Sequence, residues 1–190
     1  MILFFISLII CIILHEFSHL LIAKLVKCKV EVFSIGFGKP IYTFEIGETR
    51  YNITPFLLGG YCKLKGEKEL SNDKDAFCNL SYLRKFLLIC AGCFSNILIG
   101  AIILFLGNIY HNYSFFYFGY LSLWLGISNL LPIPALDGSY LFLVWLEKFY
   151  GKEKGYLLLN KIVTIGFVII MILNILSIPL LIYLLIIGVY

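Results

Sequence analysis

Two histidines four residues apart, His15 and His19, lie inside an apolar stretch that runs almost unbroken from Ile2 to Val26. An apolar run of that length reads as a helix able to enter a membrane. Residues four apart on a helix share a face, so both imidazoles can grip one Zn²⁺, with Glu16 beside them as a candidate general base. His15-Glu16-Phe17-Ser18-His19 thus has the H-E-x-x-H form of zinc peptidases. Ionisable side chains are costly within a bilayer, so a cluster of them there marks a functional site. About thirteen residues precede His15, or ~20 Å of helix against a hydrocarbon core of ~30 Å. The expected place of the site is within the bilayer, nearer the cytoplasmic side.

Composition agrees with a membrane setting. The chain is 61% hydrophobic and only 14% charged, where a soluble domain carries about a quarter charged residues. The expectation is one mostly α, polytopic membrane domain over 1–190. Met1–Leu14 lacks the basic start and the small-residue cleavage site of a signal peptide and is read as retained. Eleven of the 15 Lys and Arg lie between Lys24 and Lys85, the other four lie between Lys148 and Lys161, and Asn108–Phe118 has none. Positive residues stay inside, which places the first two zones in the cytoplasm and Asn108–Phe118 outside. These charges flank apolar spans, so nucleic acid is not expected as a partner. Cys11, Cys28, Cys62, Cys78, Cys90 and Cys93 fall in membrane or cytoplasmic segments, where structural disulfides are not expected. Cys90-Ala91-Gly92-Cys93 has no matching second pair and reads as small buried residues.

About four transmembrane helices are expected, with a small membrane-associated β-hairpin or sheet region after the first. The first span is 1–26. Short β-type runs punctuated by glycine follow over 30–66, with Gly47-Glu48 as a turn. Strand edges cannot face lipid, so this region must pack on protein or line a wet cavity. The second span is 86–107, and His111–Ser114 forms a very short turn. The third, 115–150, is broken by Pro132 and Pro134, with helix resuming near Asp137. A connection containing Gly151–Lys154 precedes the last span, 162–190, where Pro179 is expected to kink or end the helix.

Catalytic zinc usually has three protein ligands and a water. Besides Glu16, the clear acidic residue among the apolar spans is Asp137, at the end of Asn129-Leu130-Leu131-Pro132-Ile133-Pro134-Ala135-Leu136-Asp137-Gly138. A broken helix can bring a carboxylate against a neighbouring helix, and Asp137 is the candidate third ligand. It is also well placed as a helix N-cap.

With these residues in hand, the chain resembles the site-2 protease family of intramembrane zinc metalloproteases. The resemblance is strongest to the bacterial type that cleaves anti-sigma factors (regulators of sigma-E). His15–His19 matches its H-E-x-x-H, and Phe33–Lys39 looks like the segment after its first helix. Leu58-Gly59-Gly60-Tyr61-Cys62-Lys63 looks like its glycine-pair strand, and Asn129–Gly138 matches its N-x-x-P-x-P-x-L-D-G motif. The resemblance implies zinc bound by His15, His19 and Asp137, with Glu16 as catalytic base. Asn96 falls in Ala91-Gly92-Cys93-Phe94-Ser95-Asn96, where Cys93 replaces the family's proline. Asn96 is a candidate substrate contact or, equally, an interhelical hydrogen-bonding residue. Gly59 and Gly60 suit close approach of an extended substrate strand, or a turn or bulge, and Asn129 is a candidate for orienting either the helix break or the substrate. The PDZ and nucleotide-sensing domains of many relatives are not expected.

The implied activity is zinc-dependent cleavage of transmembrane segments in single-pass membrane proteins, such as anti-sigma factors or signal-peptide remnants. It would act in a bacterial inner membrane, with an upstream protease or regulatory membrane partner. The alternative is a catalytically inactive zinc-binding scaffold or metal-handling protein. The presence of Glu16, which is not a ligand, argues against it. A transporter is weaker still, for want of a polar pathway.

Overall fold

A computed structural model describes residues 2–134 and 136–186, with side chains over 3–134 and 136–169. The elements run α1 (Ile2–Leu25), β1 (Val30–Phe37), β2 (Tyr42–Ile46), β3 (Thr49–Ile53), β4 (Phe56–Leu64), α2 (Tyr82–Tyr110), α3 (Tyr113–Asn129), α4 (Gly138–Tyr150) and α5 (Lys152–Ile186). Leu3–Leu25 and Tyr82–Tyr110 are each long and apolar enough to cross a membrane. Helix α3 has 17 residues, about 26 Å, a little short of the ~30 Å hydrocarbon core.

The four strands form one sheet in the order β2-β3-β1-β4. Strands β2 and β3 make a hairpin around Gly47, whose φ of 61° lies in the left-handed region. This is the turn the sequence marks at Gly47-Glu48. The hairpin folds back so that β3 runs parallel to β1, with Val32 opposite Arg50 and Ile35 opposite Ile53. On its other side β1 pairs antiparallel with β4. Adjacency in the chain suggests hairpins; the parallel β1–β3 pair instead uses β2 as its crossover. This leaves β4 on an edge, packed against α1.

Helices α2 and α3 pack closely through glycine. A Cβ on Gly100 would lie 2.8 Å from the Gly119 carbonyl, and one on Gly126 would lie 2.8 Å from the Cys93 carbonyl. Small residues let apolar helices approach in this way where lipid removes the usual hydrophobic drive. The reversal between them is made by His111, left-handed at φ 49°, and by Asn112, whose side chain accepts a hydrogen bond from Ser114 N at 2.9 Å.

Two boundaries differ from expectation. Helix α2 begins at Tyr82, four residues early. Helix α5 begins at Lys152, because Gly151 at φ 79° makes the whole reversal from α4 in one residue. The expected connection through Lys154 is therefore helical, with Glu153 in the first turn facing the positive end of the helix dipole. Pro179 does not end α5, which continues to Ile186; its side-chain surroundings lie outside the described residues. Membrane helices accommodate proline when neighbouring groups satisfy the freed carbonyl.

The buried core joins α1, β1, β4, α2, α4 and α5, with Phe77, Leu88, Val30 and Leu143 at its centre. Within it Lys85 of α2 and Glu147 of α4 form an ion pair, each side chain 1% exposed, with Nζ 2.8 Å from Oε1. Lys85 also lies over the Phe77 ring, 5.4 Å from its centroid. Losing one partner strands a buried charge, at a cost of about 3–5 kcal/mol. Lys85→Met or Glu147→Leu alone should therefore lower the thermal unfolding midpoint in detergent sharply. The double variant should recover most of the loss.

Candidate metal centre

Helix α1 delivers His15 and His19 to one face, as i and i+4, and both are buried. The chain break between α3 and α4 delivers Asp137. Pro132 and Pro134 have no N–H to continue α3, and Gly138 lets the turn close on itself. A Cβ on Gly138 would overlap the Leu130 and Leu131 carbonyls. Asp137 occupies the N-cap position of α4 but makes no side-chain cap. Its carboxylate is turned toward α1 instead, with Oδ2 at 2.9 Å from His15 Nε2 and 3.2 Å from His19 Nε2. The two Nε2 atoms are 3.2 Å apart.

These three groups are a cluster able to hold a metal ion. Ligand atoms arranged tetrahedrally ~2.0–2.1 Å from zinc stand about 3.3–3.4 Å apart, close to the separations found. Two nitrogens and one carboxylate oxygen are also a donor set that zinc favours. The cradle is kept open by Gly92 of α2, because a Cβ there would lie 2.5 Å from both Nε2 atoms. His19 Nδ1 is 2.9 Å from the Leu88 carbonyl. That carbonyl accepts the Nδ1 proton and leaves the Nε2 lone pair facing inward.

Helix α2 carries no member of the cluster, yet it touches all three. Leu88 meets His19, the Cys93 thiol donates to Asp137 Oδ2 at 3.5 Å, and Asn96 lies beside His15, its Nδ2 3.4 Å from Nδ1. Residues 88, 92, 93 and 96 form one stripe on a helix. Glycine in the middle of an apolar helix was the available signal for Gly92. The Leu88 carbonyl and the Cys93 thiol contact had none, because a backbone acceptor and an apolar-looking thiol carry no pattern.

Glu16 stands on the same cavity as His19 and Asp137, a space of about 350 Å³ that also reaches Gly60, Glu67 and Tyr140. Gly60 packs on Glu16, since a Cβ there would lie 3.2 Å from Glu16 Cγ. Gly59 is different: its missing side chain makes room for the Phe37 ring. Both lie within β4 rather than in a turn, next to a register irregularity between Ile35 and Phe37 of β1. Asn129, at the end of α3, brings Nδ2 to 3.4 Å from His15 Nε2. All six cysteines are free thiols.

The model of peptidase family M50 matches residues 3–113 and 106–173. A protein of Borreliella burgdorferi, provisionally named a zinc metalloprotease, is 44% identical over 115 residues, covering 53% of this chain and 27% of the relative. A Campylobacter jejuni protein with the same provisional name is 40% identical over 101 residues, covering 50% of this chain and 27% of its own. The chain thus matches about a quarter of the length of these curated relatives. A solved site-2 protease from Methanocaldococcus jannaschii shares the fold, with a TM-score of 0.58 and 21% identity over 94% of this chain and 70% of that one.

The space that Gly92 leaves open cannot take even a methyl group without displacing both histidine rings. Gly92→Ala should leave the helix content unchanged by circular dichroism but abolish zinc retention through gel filtration, as measured by elemental analysis.

Proposed function

Because the chain belongs to peptidase family M50, we propose that it is a zinc-dependent intramembrane endopeptidase cleaving transmembrane segments of single-pass membrane proteins. The observation that carries this reading is the convergence of His15, His19 and Asp137 within 3.2 Å of one another, with Glu16 on the shared cavity. Zinc, when held there, supplies positive charge that acidifies water and polarises a carbonyl. Glu16 takes the proton from the attacking water and returns it to the leaving amine. In this reading Asn129, whose Nδ2 lies 3.4 Å from His15 Nε2, donates to substrate oxygen. The outer edge of β4 lies beside Glu16, where an unwound substrate segment can add as a strand, and Gly60 permits the close approach.

His15 lies about ten residues, or ~15 Å, before the end of α1, within the bilayer and in the half of the helix nearer that end. The basic segments gather at that end of the helices: Lys24 bonds Thr49, Lys29 pairs with Glu48, and Lys152 reaches Asn79. Positive residues favour the cytoplasmic face, so the site opens toward the cytoplasm of a bacterial inner membrane. Anti-sigma factors or signal-peptide remnants, after a first cut by another protease, are the proposed substrate class.

Purified protein reconstituted with a tagged single-pass substrate tests this. Glu16→Gln should retain zinc and lose cleavage by at least ~10²-fold, the scale of general-base catalysis. Asp137→Asn should lose zinc as well. Undiminished cleavage by the Glu16→Gln variant would remove the assignment.

A further inference from the structure

Asn96 is 1% exposed, and its Oδ1 is the buried side-chain polar atom without a partner among the described residues. Its Nδ2 faces His15 Nδ1 at 3.4 Å. Resting on the zinc reading above, that contact has a consequence for the histidine. For His15 Nε2 to offer its lone pair beside Asp137, the ring proton must sit on Nδ1. An amide N–H facing an imidazole N–H would be donor against donor. The two ends of a carboxamide have nearly the same shape, and turning this one about its last torsion brings Oδ1 onto Nδ1 as an acceptor. The far end, Oδ1, has no donor to hold it where it is, so the histidine decides the orientation.

We propose that Asn96 is a positioning residue whose Oδ1 accepts the His15 Nδ1 proton and so fixes that histidine in its metal-binding tautomer. Asn96 then does for His15 what the Leu88 carbonyl does for His19, from two turns further along α2. The helix is held there: Ser122 of α3 donates its hydroxyl to the Asn96 backbone carbonyl at 2.8 Å. A carboxamide suits the role because its oxygen accepts without carrying charge into an apolar helix pair. An interhelical hydrogen bond and a role at the site are here one and the same contact.

Zinc affinity of the full chain in detergent, measured against a competing chelator, tests the proposal. Asn96→Leu keeps the branched outline, with somewhat more bulk, and removes the acceptor; it should weaken zinc 10–100-fold, the usual loss when such a partner is removed. Asn96→Asp, as a carboxylate, can only accept, and should bind zinc at least as tightly as wild type. In zinc-loaded wild type with ¹⁵N-labelled histidine, the His15 Nδ1 proton should be visible and protected from exchange. Wild-type affinity in a folded Asn96→Leu, loss in Asn96→Asp equal to that in Asn96→Leu, or an unprotonated His15 Nδ1 would each overturn it. If Asn96→Leu does not fold, the aspartate variant and the wild-type resonance decide. A wild type that holds no zinc, or holds it equally after His15→Ala, overturns the zinc reading itself; zinc held through His15 without regard to Asn96 overturns only this inference.

Discussion

A carboxylate set against two imidazoles organises this protein. Asp137 Oδ2 within 2.9 Å and 3.2 Å of two buried histidine nitrogens is an arrangement an apolar helix bundle tolerates only where the charge is compensated. Hydrogen bonding meets part of that demand here, and a divalent cation would meet the rest. Much of the remaining architecture serves to keep the three groups together. The proline break aims Asp137 at α1, Gly138 lets the break close, and α1 carries the histidines one turn apart.

The role of α2 follows from this. It contributes bulk and polar contacts but no ligand, and its glycine is as informative as its side chains. Gly92 holds the cradle open, while Leu88, Cys93 and Asn96 each reach a different member of the cluster. One helix face thereby sees the whole centre. Glycine contacts with α3 and the Lys85–Glu147 pair with α4 fix that face in place. Asp137 begins the helix whose far end carries Glu147, so the buried ion pair and the cluster anchor opposite ends of α4.

Much of this was readable from residues alone, for a physical reason. His15 and His19 are related by helical spacing, a local property, and the proline pair announces the break that frees Asp137. The glycine-punctuated runs after α1 and the Gly47 turn are likewise local signals. The start of α5 comes earlier than the sequence suggests because a single glycine at positive φ can replace a loop, and charged residues such as Lys152–Lys154 fit a helix start as well as a connection. The parallel β1–β3 pairing was hidden because strand partners are chosen by approach across the sheet, not by order along the chain.

The sequence by itself determined the kinds of groups at the centre, the helix that carries two of them and the break that supplies the third. It also determined two helices long and apolar enough to cross a membrane, since apolar length is a property of the chain. Only the tertiary structure decided that the Asp137 carboxylate turns inward instead of capping α4, that Gly60 packs on Glu16 while Gly59 seats Phe37, and that α2 contacts all three members of the cluster. Those outcomes depend on distances of a few ångströms between segments as far apart in the chain as His15 and Asp137. Such distances are set by how closely glycine lets backbones approach and by which buried polar atoms must find partners, and neither is written in any one stretch of chain.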